Sequence, residues 1–257
     1  MLAPTMLAGA PLRAGEGAGE APAGLDNLFL RAFVAAGGDP AGLWFDMHNE
    51  VPFARGLGSS AATIVAGLVA ADAWHDRPPR DLLGLATELE GHPDNVAAAL
   101  QGGFVVCQGT RVHRFDPPMG LEAVLVVPGE AVSTEAARAA LPDEVPMSDA
   151  VFNVAQASTL ILGLARGDWD LIAAGLDDRL HQPRRAHLFQ RSAALLNRAR
   201  ELGALGATIS GAGPTVLVWS QYEQTGPIVE ALRRETRGWA TVMRAPFETH
   251  GADVRSL

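Results

Sequence analysis

Apolar residues recur at helical spacing in "LDNLFLRAFVAA", where Leu28, Phe29, Ala32 and Phe33 share one face and predict a short amphipathic helix. The next run, "GLWFDMHNEV", reads as a strand. From Ser59 to Trp74 the residues are small or apolar all round, which predicts a buried helix. Pro78 and Pro79 precede a further helix over Asp81 to Leu89, with Asp81 as its first-turn or capping acid. "EGHPDNVAAAL" carries a loop into another helix, and "GGFVVCQG" with "RVHRFD" reads as a hairpin. The pattern then changes. "LEAVLVVPG" predicts a buried strand, several helical segments follow between Thr134 and Leu202, and "GATISGAGPTVLVWS" predicts a strand broken by a glycine-rich turn. A helix around Glu223 to Glu235 and the strand "GWATVMRAP" close the chain. The order strand, helices, strand, helix, strand predicts an α+β lobe with an antiparallel sheet, so a lobe boundary falls near Pro118, dividing the chain into 1–118 and 119–257. The first 25 residues are rich in Ala, Gly and Pro and read as loose, because they offer little apolar surface to offset the entropy of ordering.

Composition removes several functions. The 257 residues are 48% apolar, enough for a full core. A formal charge of −9 gives no basic footprint, which argues against nucleic acid or an anionic membrane as the main partner. Neither a membrane span nor a signal peptide is legible. Cys107 is the single cysteine, so no internal disulfide can form, which fits a reducing cytoplasm. All 20 basic residues are arginine. Without lysine there can be no lysine Schiff base, no P-loop lysine and no protein-kinase strand lysine. The histidines show no paired set at zinc-ligand spacing.

Three stretches carry candidate chemistry. In "VPFARGLGSSAA", Val51 to Ala62, two glycines permit positive φ and close backbone approach, and two serines open a helix whose free N–H groups favour an anion. Such a stretch could equally be a plain helix cap, since serine is a strong N-cap. "GLGSSA" also fits a dinucleotide fingerprint, but its lead-in "HNEVPFAR" is polar and proline-broken, and Asp72 and Asp76 come too early for the ribose acid. The second stretch, "ELEGHPDNVAAALQGG", crowds Glu88, Glu90, His92, Asp94 and Asn95 around a turn, where carboxylates can hold Mg²⁺ or orient a hydroxyl; Asp94 or Asn95 could also simply cap the next helix. The third is the glycine turn in "GATISGAGPTVLV", weak alone.

In that order, these three motifs resemble the GHMP small-molecule kinases, and "EGHPDNVA", "VSTEAARAALP" and "LHQPRRAHL" resemble the homoserine kinases within them. The likeness runs from about Asp26 to the end. It implies a two-lobed α+β fold, an N-terminal α/β lobe and a C-terminal ferredoxin-like α+β lobe, and transfer of the ATP γ-phosphate to L-homoserine. By position it implies that Pro52, Arg55, Gly56, Leu57, Gly58, Ser59, Ser60, Ala61 and Ala62 wrap the ATP phosphates, with Ser210, Gly211 and Gly213, in the turn running to Thr215, completing the site. Ser60 and Glu90 (or Glu88) would meet Mg²⁺. Asp94 would face the acceptor hydroxyl, as a base or only to orient it, with His92 and Asn95 beside it. Arg138 and Arg185 (or Arg184) would clamp the substrate carboxylate, which suits the planar guanidinium.

One departure qualifies the resemblance. Homoserine kinases begin with a strand and turn like P-x-T-S-A-N-L-G-x-G-F-D, and nothing like it precedes Val51. This implies an N-terminal lobe incomplete in its first strands, from a start placed too far downstream or from a decayed or repurposed copy, the former preferred. A lobe without those strands leaves an open sheet edge, and is expected to aggregate or be inactive. The alternatives are a GHMP kinase for mevalonate, shikimate or a sugar, or an inactive nucleotide-binding relative. The oligomeric state stays open, a homodimer among the options.

Overall fold

Asn27 starts the first helix, α1 (Leu28–Ala35), by accepting the Phe29 N–H at 2.8 Å. The computed structural model describes residues 12–22, 24–78 and 80–255. The chain divides into two units, the first holding the chain up to Phe53, Gly58–Phe115 and Glu248 onward, the second holding Ala54–Leu57 and Asp116–Phe247.

In the first unit, α1 lies against α2 (Ser59–Trp74), whose bounds are those the apolar run predicts. The crossing is close: a Cβ on Gly67 would lie 2.3 Å from the Phe29 carbonyl oxygen, so no larger residue fits there. Phe33, Ile64, Leu68, Ala71, Ala86 and Val96 form the core, and Phe45 meets Phe29 and Phe33 edge-on at 5.0 and 4.9 Å between ring centres. The helix is not buried all round as its composition suggests, since Ala62, Ala66 and Trp74 are exposed. Two further helices, α3 (Leu83–Glu90) and α4 (Asp94–Gln101), complete the layer; α3 starts two residues later than expected, with Leu82 as its N-cap, and Asp81 lies before it, accepting the Leu83 N–H at 2.9 Å.

Two small sheets edge this layer. β1 (Leu12–Gly15) pairs in parallel with β2 (Met47–Asn49), so the opening segment is not wholly loose as its composition suggests; the expectation for 1–11 lies outside the described residues. The pairing is made by main-chain groups, to which an Ala-Gly-Pro composition is blind. The strand expected over "GLWFDMHNEV" shrinks to three residues. The antiparallel hairpin β3 (Phe104–Gln108) and β4 (Arg111–Phe115) forms as expected. From Glu248 the chain returns to this unit, where the Gly103 N–H donates to Glu248 O and the Ala252 N–H to Ala99 O.

The second unit runs β5 (Leu121–Pro128), α5 (Thr134–Ala139), α6 (Met147–Arg166), α7 (Trp169–Ala174), α8 (Gln182–Arg185), α9 (Gln190–Arg198), β6 (Gly206–Ile209), β7 (Val216–Gln221), α10 (Tyr222–Glu235) and β8 (Ala240–Pro246). Its strands form one antiparallel sheet in the order β6-β7-β5-β8, the ferredoxin-like arrangement. Val124, Val126, Val216, Val218, Ile228 and Leu232 fill the space between sheet and helices. Ser133 and Asp168 cap α5 and α7 through their side chains.

Asp72, on α2, is the buried charge of the first unit. Burial alone would raise its carboxyl, but Arg80, at 2.9 and 3.0 Å through Nε, and Arg77 hold it below the ordinary carboxylate range. Both arginines also donate to Ala36 O, tying α1 to the loop after α2. Because the folded carboxyl sits below its unfolded value of about 3.9, the pair stabilises above that pH and the benefit fades as pH falls through the folded value. Asp72→Asn should lower the thermal midpoint by about 5 °C at pH 7. Melting curves from pH 8 to 3 should show that deficit holding down to about pH 5 and narrowing below it.

Candidate functional site

The glycine loop changes hands between Leu57 and Gly58, the first belonging to the second unit and the latter to the first. Its backbone is left-handed at alternate residues: Ala54 at φ 52°, Gly56 at 74° and Gly58 at 73°. Gly56 and Gly58 adopt the conformation their type suits, whereas Ala54 pays a strain of about 1 kcal/mol there. Pro52 is half-buried.

In the first unit, Gly58 is the N-cap of α2 and no side chain caps this helix, as at α3 and α4 and unlike Asn27 at the start of α1. Neither serine serves as the cap that a purely structural role would require. Ser59, Ser60 and Ala61 form the first turn, so their N–H groups precede the first helical bond, made by Ala62 to Gly58 O. The Ser60 hydroxyl donates to Glu90 Oε2 at 2.5 Å, while Glu88 is exposed. A hydroxyl beside a carboxylate is an oxygen-only donor set of the kind a hard divalent cation takes.

The His-Pro-Asp-Asn turn leads into α4. His92 Nδ1 and Asp94 Oδ1 lie 2.6 Å apart, and the Asn95 N–H donates to the same oxygen at 2.8 Å. Asp94 is thereby held by one oxygen and remains exposed, its side chain at 69%. Asn95 Oδ1 lies 3.9 Å from where a Cβ on Gly58 would stand, which brings the turn and the start of α2 together. Burial, with the Asp94 carboxylate, pushes the pKa of the Cys107 thiol up.

In the second unit, Gly56 packs into the turn between β6 and β7. The Ser210 hydroxyl donates to Gly56 O at 2.7 Å, and a Cβ on Gly56 would lie 2.2 Å from Ser210 O and 2.9 Å from Gly213 O. Glycine is therefore required at 56 on both counts, space and φ. Gly211 and Gly213 also have positive φ, as a tight turn demands. Thr215, at the foot of this turn, is fully buried, and its hydroxyl is the one buried side-chain polar atom without a partner among the described residues. An unpaired buried hydroxyl costs roughly 1–3 kcal/mol. Arg55 donates through its guanidinium to Pro128 O and Gly129 O. Leu57 is half-buried.

The two arginines proposed for a carboxylate lie in this unit as well. Arg185 is buried and donates through Nε to Ala137 O at 2.8 Å; its pKa is lowered first by burial, with the Asp178 carboxylate opposing that shift and the Arg138 charge adding to it. A buried guanidinium with a second arginine in its field is suited to meet an anion. Arg184 is exposed, with Asp149 3.8 Å away. A residue that motif reading passed over fixes the segment: Asp178 accepts from the main chain of Leu180, His181 and Gln182 and from Asn153 Nδ2. Burial would raise its carboxyl, but the donors His181, Asn153, Gln182 and Leu180 hold it well below the ordinary range. Gln182 in turn accepts the Ile209 N–H, joining α8 to the glycine turn after β6.

Comparison with known proteins supplies the family. The model for the GHMP kinases N terminal domain matches residues 27–103, and that for the GHMP kinases C terminal domain matches residues 160–236. The homoserine kinase of Moorella thermoacetica is 41% identical over 252 residues, covering 93% of this chain and 85% of that protein. The homoserine kinase of Streptomyces avermitilis is 43% identical over 257 residues, 95% of this chain and 82% of that protein. The crystal structure of homoserine kinase from Cytophaga hutchinsonii superposes with a TM-score of 0.85 at 28% identity, over 95% of this chain and 84% of that one. A mevalonate kinase structure from L. major, at 18% identity and TM-score 0.69, shares the fold. With two family domains over more than half its length and homoserine kinases above 40% identity across most of it, the chain belongs to the GHMP kinases, ATP-dependent kinases of small molecules.

Proposed function

We propose that the chain is a homoserine kinase, transferring the γ-phosphoryl group of ATP to the hydroxyl of L-homoserine to give O-phospho-L-homoserine and ADP. One observation carries the choice of acceptor: a buried Arg185 beside Arg138, in a chain 41–43% identical to homoserine kinases. A carboxylate-bearing substrate fits that pair, and a neutral sugar does not need it.

In this reading the free amides at the start of α2 and the glycine backbone around Gly56 hold the phosphates, work that a lysine performs in other nucleotide enzymes. Arg138 and Arg185 take the α-carboxylate in two parallel hydrogen bonds. Asp94, fixed by His92 and the Asn95 N–H, presents Oδ2 to the substrate hydroxyl. The hydroxyl oxygen forms a bond to the γ-phosphorus as the bond to the β-phosphate bridging oxygen breaks, and the proton leaves toward Asp94 or water. Ser60 and Glu90 would hold Mg²⁺, which when bound neutralises phosphate charge. Because catalysis of this kind is mostly positioning and charge, these groups suffice. Free ATP, an amino-acid substrate and a single cysteine suit a cytoplasmic enzyme.

Three measurements check the reading. In a coupled ADP-release assay, kcat/KM for L-homoserine should exceed that for mevalonate, shikimate and galactose by at least about a hundredfold, a difference of some 2.7 kcal/mol; a preference for any of the three would contradict it. Arg138→Ala should raise the homoserine KM by about 10- to 100-fold with the ATP KM unchanged, as expected for losing one charge-assisted contact. Gly56→Ala should lower stability by about 2 kcal/mol, from positive φ and the backbone clash together, and raise the ATP KM.

A further inference from the structure

Asp178 lies in the segment that joins α7 to α8, its side chain 13% exposed, and both of its oxygens are filled by N–H donors. Oδ1 accepts from the Leu180 main chain at 3.0 Å and from Asn153 Nδ2 at 2.6 Å; Oδ2 accepts from the main chains of His181 and Gln182. A carboxylate has about four lone-pair sites, so four donors use it completely. An asparagine of the same shape would turn an NH₂ group onto two of those donors. Burial works against the charge and the donors outweigh burial, so the group is ionised. Asn153, from α6, also accepts the Arg179 N–H at 2.9 Å, which holds the residue after Asp178 as well.

The segment so held is the entry to α8, and α8 needs holding. It is four residues long, Gln182–Arg185, with no side-chain cap at His181. A single turn forms no stable helix by itself, because the first turn fixes several residues for one hydrogen bond. Arg185 is its last residue, 9% exposed, joined back to His181 O by its own N–H. Its Nε donates to Ala137 O on α5, one residue before Arg138, and no other hydrogen bond to its guanidinium is made by the described residues. The aim of the two Nη groups is therefore set by where α8 begins. We propose that Asp178 is a positioning residue for the acceptor: by fixing the main chain of Leu180 to Gln182, it holds Arg185 with its Nη groups turned to the substrate carboxylate. The inference rests on the homoserine reading for the identity of that carboxylate, and on contacts within the second unit alone for the positioning.

Steady-state kinetics and proton exchange on the full chain test the two parts. Asp178→Asn should raise the homoserine KM about 30-fold, with kcat and the ATP KM each within about threefold of wild type. A residue that merely stabilised the fold would lower the thermal midpoint without that split. Asn153→Ala, which removes one donor of the four, should raise the homoserine KM about fivefold in the same pattern, and serves if Asp178→Asn fails to fold. Asp177→Asn changes the neighbouring exposed acid, which pairs with Arg200, and should leave both KM values within about twofold. Without any substrate, the buried Arg185 Nε–H, identified in the proton–nitrogen NMR spectrum by its loss in Arg185→His, should exchange with solvent at least about tenfold faster in Asp178→Asn and about threefold faster in Asn153→Ala. A wild type with another preferred acceptor, or with none, overturns the homoserine reading, while the exchange result still decides the positioning. Unchanged Nε–H exchange overturns the positioning. So does an unchanged homoserine KM in both variants, a parallel loss of kcat and of both substrate affinities, or an Asp177→Asn effect as large as that of Asp178→Asn.

Discussion

A chain with no lysine must hold a triphosphate by other means, and much of the local structure follows from that constraint. Main-chain amides point outward only where a helix begins or where glycine lets the backbone turn. Guanidinium groups are the remaining cations. The start of α2 leaves its first-turn N–H groups free of any side-chain cap, as at α3 and α4 and unlike α1, which Asn27 caps. The second unit adds Gly56 pressed against the Ser210 turn, at a distance no side chain could share. In the proposed reading, both places would meet the anion with backbone, which loses little entropy on meeting its ligand because the fold already holds it.

The arginines divide the remaining labour. Arg77 and Arg80 are structural, closing the buried Asp72 and the Ala36 carbonyl. Arg55 clasps the carbonyls that end β5. Arg185 differs in kind: it is buried, with Arg138 adding positive charge rather than relieving it. Asp178 offsets part of that charge through space, while its oxygens accept from the amides that shape the segment before Arg185.

Much of this was legible in the residues. The bounds of α2 followed from a small, apolar run behind a glycine, and the β6–β7 turn from glycines between apolar strands. The order of the second-unit elements, strand, helices, strand, turn, strand, helix, strand, is that of a ferredoxin-like lobe. What stayed hidden was backbone-made or long-range. β1 pairs through its main chain, so an Ala-Gly-Pro composition could not announce it. The strand expected over "GLWFDMHNEV" proved three residues long, Met47–Asn49, the part of it that pairs with β1, while Leu43 and Phe45 pack against the α1–α2 core. Ser60 meeting Glu90, thirty positions on, and Arg55 meeting Pro128 and Gly129 depend on tertiary approach that no local period encodes. Asp178 had a local signal, an acid two to four residues before three main-chain donors, but no motif drew attention to it.

Amide-resolved NMR of the isotopically labelled chain, titrated with a non-hydrolysable ATP analogue and Mg²⁺, tests the central claim most directly. The account predicts that the largest shift changes fall on the N–H groups of Gly56 to Ala61, with smaller ones in the Ser210 to Thr215 turn. Saturable binding that leaves Gly56 to Ala61 unmoved while perturbing amides elsewhere would contradict it.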